Sequence, residues 1–226
     1  RNHSSAASDV YKRQYLNFPV VSGNVSFYNQ TKEVGIKPTP SIGGVGLIKD
    51  YTKMISMDLK EVDNLVLIIG KTEGHIDQSL FARTILDEKN GPPPEVNLFN
   101  EKNNGETILN LIDKGYVKSA HDISLGGLLV AISKMCIKGN KGIKINKSKN
   151  LINEIEYFFA EDQGRYLIEV NKEDLKEVTK ILNKNSVHHE ELGIITQNDM
   201  IINEKTKVTI DELKSYYTNW LSKFMS

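Results

Sequence analysis

The 226-residue chain has a single cysteine, Cys136. It therefore forms no internal disulfide and no cysteine metal cluster. Such cysteine poverty fits a reducing compartment, and the sequence reads as cytoplasmic. The chain also lacks an excess of either charge, with 29 Lys+Arg against 29 Asp+Glu. Nucleic acids and membrane surfaces are bound by basic charge gathered on one face, so neither partner is expected. Long apolar runs are missing too. A run such as Leu65–Ile69 is far too short to span a bilayer, and no secretory signal segment is seen. Neither 20–50-residue self-similarity nor low-complexity sequence is present, which excludes a repeat array. The first residue is not Met. Residues 1–14 (RNHSSAASDVYKRQ) carry no apolar periodicity and read as a non-native tail, set aside from fold reasoning.

The remaining residues alternate strand-like and helix-like segments, which predicts a mixed α/β fold. Tyr15–Val21 is short, apolar and β-rich and reads as a strand, entering the turn Ser22-Gly23-Asn24. Val25–Tyr28 resumes a strand, and 29–37 is polar and loop-like. Pro38-Thr39-Pro40 imposes extended backbone, and Ser41–Ile48 alternates small and apolar residues as a closely packed strand would. A second unit starts near Tyr51. The apolar run 64–70 predicts a buried strand. Asp77 is expected to cap a helix bearing Leu80, Phe81, Ile85 and Leu86, with Pro92-Pro93-Pro94 as a stop. Helical spacing over 106–112 ends at Gly115. A strand is expected over 117–121 and a helix opened by Gly126-Gly127, with Leu128, Leu129, Ile132, Met135 and Cys136 on one face. Further strands are expected at 142–145, 165–170, 190–196 and 200–202. Helices are expected at 151–159, 175–182 and from Thr209 or Asp211 to about Met225, the last bearing Trp220.

Three segments could carry chemistry. In Gly23-Asn24-Val25-Ser26, a glycine after a strand lets backbone N–H groups approach an anion. The Asn24 carbonyl is a hard oxygen suited to Mg²⁺, and Ser26 shares its strand face. Read alone, the segment is a common turn. In His121-Asp122-Ile123-Ser124-Leu125-Gly126-Gly127, a helix N-terminus offers free N–H groups to an anion, and His121 beside Asp122 suits acid–base work. The plainer account has Asp122 or Ser124 capping the helix. In Glu161-Asp162-Gln163-Gly164-Arg165, the plainer account is a pair of Arg165 with Glu161 or Asp162 that fixes the loop. The adjacent His188 and His189 face opposite sides of a strand and read as a solvated edge, not a metal site.

Taken in order, Pro19 to Ser26, Pro38-Thr39-Pro40 with Gly43-Gly44-Val45-Gly46, Pro92–Pro94, Ala120-His121-Asp122 with Gly126-Gly127, Glu161–Arg165 and Trp220 resemble one family. It is the synthetase subunit of phosphoribosylformylglycinamidine synthase, within the aminoimidazole-ribonucleotide-synthetase-like superfamily. The resemblance covers Tyr15 to Met225. It implies that 15–49 ends a barrel-forming domain and that 50–226 is a complete C-terminal α/β domain. It also implies a carbon–nitrogen ligase of purine biosynthesis. ATP activates formylglycinamide ribonucleotide, and glutamine-derived ammonia displaces phosphate to give formylglycinamidine ribonucleotide, ADP and phosphate. The implied roles are Gly23 for ATP, Asn24 for Mg²⁺ and Ser26 for the ribonucleotide. His121, Asp122, Gly126, Gly127 and Arg165 are secondary candidates. The family's catalytic histidine, nucleotide-binding lysine and most metal carboxylates belong to a half not included here, so the fragment is expected to be inactive alone.

The resemblance implies a glutaminase subunit and a small bridging subunit as partners, and the end of the sequence soon after Trp220 leads us to expect the glutaminase to be separate rather than fused. Leu125 departs from the family pattern, which often has an acid there. Competing readings are another ATP-dependent synthetase of the superfamily and a non-catalytic interaction domain.

Overall fold

The computed structural model describes residues 11–24, 29–36, 41–146 and 153–225. The chain divides into two compact units, Arg1–Thr52 and Lys53–Ser226.

In the first unit, residues 11–15 are helical, and β1 (Gln30–Thr31) pairs antiparallel with β2 (Val34–Gly35). The strand predicted over Tyr15–Val21 is absent, because Tyr15 ends the helical turn and 18–24 is irregular. The strand predicted over Ser41–Ile48 is also absent. A strand exists only through a neighbour's ladder, and among the described residues no other strand lies beside either segment. Val21, Val45 and Leu47 are more than nine-tenths exposed. The loop predicted over 29–37 contains the short hairpin. Val25–Tyr28 and Pro38–Pro40 lie outside the described residues.

The second unit is a seven-stranded sheet with helices on both faces. Its strands are β3 (Leu65–Ile69), β4 (Val117–Asp122), β5 (Gly142–Ile145), β6 (Tyr166–Val170), β7 (His189–Thr196), β8 (Asp199–Ile202) and β9 (Thr206–Thr209). The order is β4-β6-β3-β7-β5-β8-β9, antiparallel at each pairing except the parallel β5–β8. Every residue of β3 is buried. Its side chains alternate between two cores. Val66 and Ile68 enter one with Leu128, Ile132, Met135, Cys136 and Phe158. Leu65, Leu67 and Ile69 enter the other with Ile108, Leu111, Val178 and Leu182.

The helices are α1 (Leu80–Thr84), α2 (Leu98–Asp113), α3 (Gly127–Gly139), α4 (Glu154–Phe159), α5 (Leu175–Lys184) and α6 (Ile210–Met225). Several expectations are corrected. Ser79, not Asp77, caps α1, because its extended backbone lets Oγ accept the Ala82 N–H at 3.1 Å. Helix α2 starts eight residues earlier than its apolar spacing suggests, at the Asn97 cap. Gly126, not Ser124 or Asp122, caps α3. Helix α4 begins at Glu154, with Asn153 as its cap, and 151–152 lie outside the described residues. His189 belongs to β7, which runs between β3 and β5, so it is not on an edge. Strand β9 was not foreseen. Thr209 does cap α6, its Oγ1 accepting from the Glu212 N–H at 3.2 Å.

Candidate functional site

Gly23 and Asn24 lie exposed in irregular chain of the first unit. A Cβ added to Gly23 would meet nothing within 4 Å, so no close backbone approach requires the glycine in the described surroundings. Ser26 lies outside the described residues. The other candidates all belong to the second unit, where the structure brings Gly126, Gly127 and Arg165 to one junction.

That junction is built around Glu161, Asp162 and Arg165. Arg165 is 1% exposed. It donates to the Ala160 carbonyl at 2.6 Å and to Thr72 Oγ1 at 3.0 Å, and lies 3.8 Å from Asp162. Burial lowers its pKa, and the nearby Asp162 and Glu190 charges oppose the shift. The Asp162 carboxylate accepts three successive backbone N–H groups, from Glu73, Gly74 and His75, at 2.9–3.1 Å. A buried charge is tolerated only with such pairing.

Glu161 Oε1 accepts the Gly126 N–H at 2.8 Å and the Leu80 N–H at 2.7 Å. It joins the N-termini of α3 and α1, where free N–H groups and the helix dipole favour an anion. The anion that the sequence suggested at the Gly126-Gly127 helix start is therefore the chain's own carboxylate. Both glycines have positive φ, and a Cβ on Gly127 would stand 2.7 Å from the Ala160 carbonyl oxygen. Only glycine combines that conformation with that approach. Of the secondary candidates, Gly126, Gly127 and Arg165 thus have architectural roles.

His121 Nδ1 lies 3.0 Å from Asp122 Oδ1. Burial pushes the Asp122 carboxyl up, but hydrogen bonds from Ser124 and His121 and the His121 charge outweigh it, so the net shift is downward.

A cleft of about 640 Å³ opens beside the Asp162 loop, lined in part by Pro94, Asp162 and Gln163 of the motifs noted in the sequence. Its walls include Lys71, His75, Asn97, Asn100, Glu101 and Gln163. Asn97, Asn100, Glu101 and Asn104 recur at helical spacing and share one face of α2; that spacing was the available signal. Asn104 donates to the Gly164 carbonyl at 2.9 Å. Burial raises the Glu101 pKa against the Tyr166 hydrogen bond. Burial and then Glu101 push the Tyr166 hydroxyl up to about 12. The volume falls in the range of small-molecule sites, about 300–1,000 Å³, and the lining suits a polar ligand.

Among the described residues, no group of three or more His, Cys, Asp and Glu side chains is placed to hold a metal ion. Asn24 by itself supplies one oxygen donor, so these residues do not complete a Mg²⁺ site. No described helix is long and apolar enough to cross a membrane.

Known proteins match this architecture. The family "AIR synthase related protein, C-terminal domain" matches residues 61–203. The chain is 69% identical, over 93% of its length, to phosphoribosylformylglycinamidine synthase subunit PurL of Pelagibacter ubique, and 40% identical to that of Bartonella henselae. It spans 29% and 28% of the length of these two relatives. Among solved structures, Thermotoga maritima PurL complexed with FGAR superposes with a TM-score of 0.59 at 18% identity. That match covers 72% of this chain and 29% of the other. The PurLQS structure from the same organism gives 0.58 at 16%, covering 72% and 28%. These structural likenesses carry the fold. With the match over 61–203, the chain belongs to the AIR synthase related family, of which it carries the C-terminal domain.

Proposed function

We propose that this chain is the C-terminal part of the synthetase subunit of phosphoribosylformylglycinamidine synthase. In this reading 15–49 ends the second barrel domain and 50–226 is the last domain. The whole enzyme converts formylglycinamide ribonucleotide, ATP and glutamine-derived ammonia to formylglycinamidine ribonucleotide, ADP and phosphate in the cytoplasm. The observation that carries the reading is the 69% identity to the Pelagibacter PurL over 93% of the chain. Gly23 would contact ATP, Asn24 would offer its carboxamide oxygen to Mg²⁺, with the remaining ligands from outside these residues, and Ser26 would hold the ribonucleotide. The ion, when bound, would supply charge neutralisation for phosphoryl transfer. The second unit supplies a rigid body, its loop at 73–75 pinned by Asp162. A glutaminase and a small bridging subunit complete the assembly.

The test is a chimera in which this chain replaces the matching part of the Pelagibacter PurL. With ammonia supplied directly, ATP-dependent product formation should persist. Asn24→Ala should raise the Mg²⁺ concentration needed for half-maximal rate, and Ser26→Ala should raise KM for the ribonucleotide more than for ATP. A folded chimera without activity would overturn the reading, and unchanged Mg²⁺ dependence in Asn24→Ala would remove the metal assignment.

A further inference from the structure

Ile210, Leu213, Tyr217, Trp220, Leu221 and Phe224 recur along α6 at helical spacing, so they form one apolar stripe. Glu212, Ser215, Asn219, Ser222 and Lys223 take the opposite side. The stripe starts inside the second unit. Ile210 belongs to the core around Ile132 and Met135, Leu213 packs against that core, and α6 lies on α3. Lys214 Nζ donates to Asn140 Oδ1 at 2.5 Å and fixes the first turns of α6 to the end of α3. Farther along the same stripe the cover stops. Exposure climbs from 4% at Ile210 to 47% at Tyr217, 60% at Trp220 and 78% at Phe224. A cavity of about 170 Å³ beside Tyr217, with Met57 and Ile137 in its wall, leaves room for one incoming side chain.

A face that continues from the core and then runs bare is half of an interface. We propose that the stripe from Tyr217 to Phe224 seats the part of the synthetase subunit that lies outside this chain. The inference rests on the reading of the chain as part of that subunit.

Area and chain length choose this occupant. Tyr216 borders Trp220 one turn away and is itself exposed. At about 150–250 Å² for each aromatic side chain, the uncovered parts of Tyr216, Tyr217, Trp220 and Phe224 come to about 400–650 Å². That reaches the size of the largest apolar patches on ordinary monomers, about 300–600 Å², which are often functional. It falls short of the roughly 800 Å² per partner of a stable complex between separate proteins. It suits a contact between domains of one polypeptide, which buries about 600–1,500 Å² in total. Tethering raises the effective concentration of the two surfaces, so a smaller patch suffices. The chain spans 29% of the Pelagibacter relative and 28% of the Bartonella one, so most of each polypeptide lies outside it and is available as cover.

The test compares hydroxyl-radical oxidation of the 226-residue chain with that of the chimera described above, read residue by residue by peptide mass spectrometry. Tyr217, Trp220, Leu221 and Phe224 should oxidise readily in the chain and several-fold more slowly in the chimera. Trp220→Lys with Phe224→Lys should lower the Tm of the chimera by several degrees. It should leave the Tm of the chain unchanged, because there the two side chains have no cover to lose. The activity of the chimera with ammonia reads the functional assignment separately. Protection in an inactive chimera would keep the docking and sink that assignment. An active chimera whose stripe oxidises as fast as in the isolated chain would overturn the docking alone, as would a chimera whose Tm the double variant leaves unchanged. Protection that appears only when a glutaminase subunit is added would overturn it in favour of that partner. Protection already present in the isolated chain would overturn it too, and a dimeric mass by light scattering would then give the face to a second copy.

Discussion

Arg165 and Asp162 offer a direct measure of what holds the second unit's junction. In Arg165→Met the guanidinium leaves a site that is 1% exposed. The Ala160 carbonyl loses a 2.6 Å donor and Thr72 Oγ1 loses a 3.0 Å donor. Asp162 loses its nearby cation but keeps three backbone donors. Breaking a buried pair from one side costs about 3–5 kcal/mol. The retained donors place this case at the lower end, about 3–4 kcal/mol. At about 2–4 °C per kcal/mol for a domain of this size, Tm falls by about 6–16 °C.

Asp162→Asn must turn an NH₂ group toward at least one backbone N–H, and should cost a similar amount. The two sites share a network, so the double variant should cost less than the sum by about 1–3 kcal/mol. Urea unfolding followed by circular dichroism gives all three values, with constant m-values showing that compactness has not changed. A shift below about 0.5 kcal/mol for Arg165→Met, or strict additivity, would refute the architectural role assigned to this motif.

Glu161→Ala strands the N–H groups of Gly126 and Leu80 and should destabilise the unit by about 2–4 kcal/mol. Glu161→Gln keeps an oxygen acceptor and should lose less, and amide exchange at 80 and 126 reports both. Burial pushes the Cys136 thiol up to about 12. At pH 8 only about one molecule in 10⁴ carries the thiolate, so thiol reagents should react at the rate of unfolding; rapid labelling of the native chain would contradict the buried position. The folded state favours the neutral thiol. Its stabilisation is therefore intact below the unfolded pKa of about 8.5–9 and is lost as pH rises toward about 12. A urea midpoint that rose from pH 8 to pH 11 would reverse this sign.

Much of the second unit was legible before any coordinates. The unbroken apolar run at 65–69 marks a strand buried on both faces, and the 3.6-residue spacing of Leu128, Ile132, Met135 and Cys136 marks one helix face. Helix α2 was half hidden, because Asn100, Asn103, Asn104 and Gly105 have low helix propensity. Tertiary contacts override it, with Asn104 holding the Gly164 carbonyl and Asn103 donating to that of Asn185. The buried Glu169 was not foreseen either. Its carboxylate accepts from Ser119, Asn64 and the N–H groups of Lys60 and Glu61. Those donors are 50 to 109 residues away. The strands expected at 15–21 and 41–48 failed for the opposite reason, since alternation describes a face but supplies no neighbour to pair with.

The sequence by itself determined the family through the ordered motifs from Pro19 to Trp220, because such motifs are local and survive in one dimension. It also determined which segments are apolar enough to be core. Only the tertiary structure decided the roles within the motifs. Glu161 became the anion of two helix starts and Asp162 the anchor of residues 73–75. The physical reason is distance. A carboxylate acquires its role from donors and charges brought close in space, and their separation along the chain leaves no local signal.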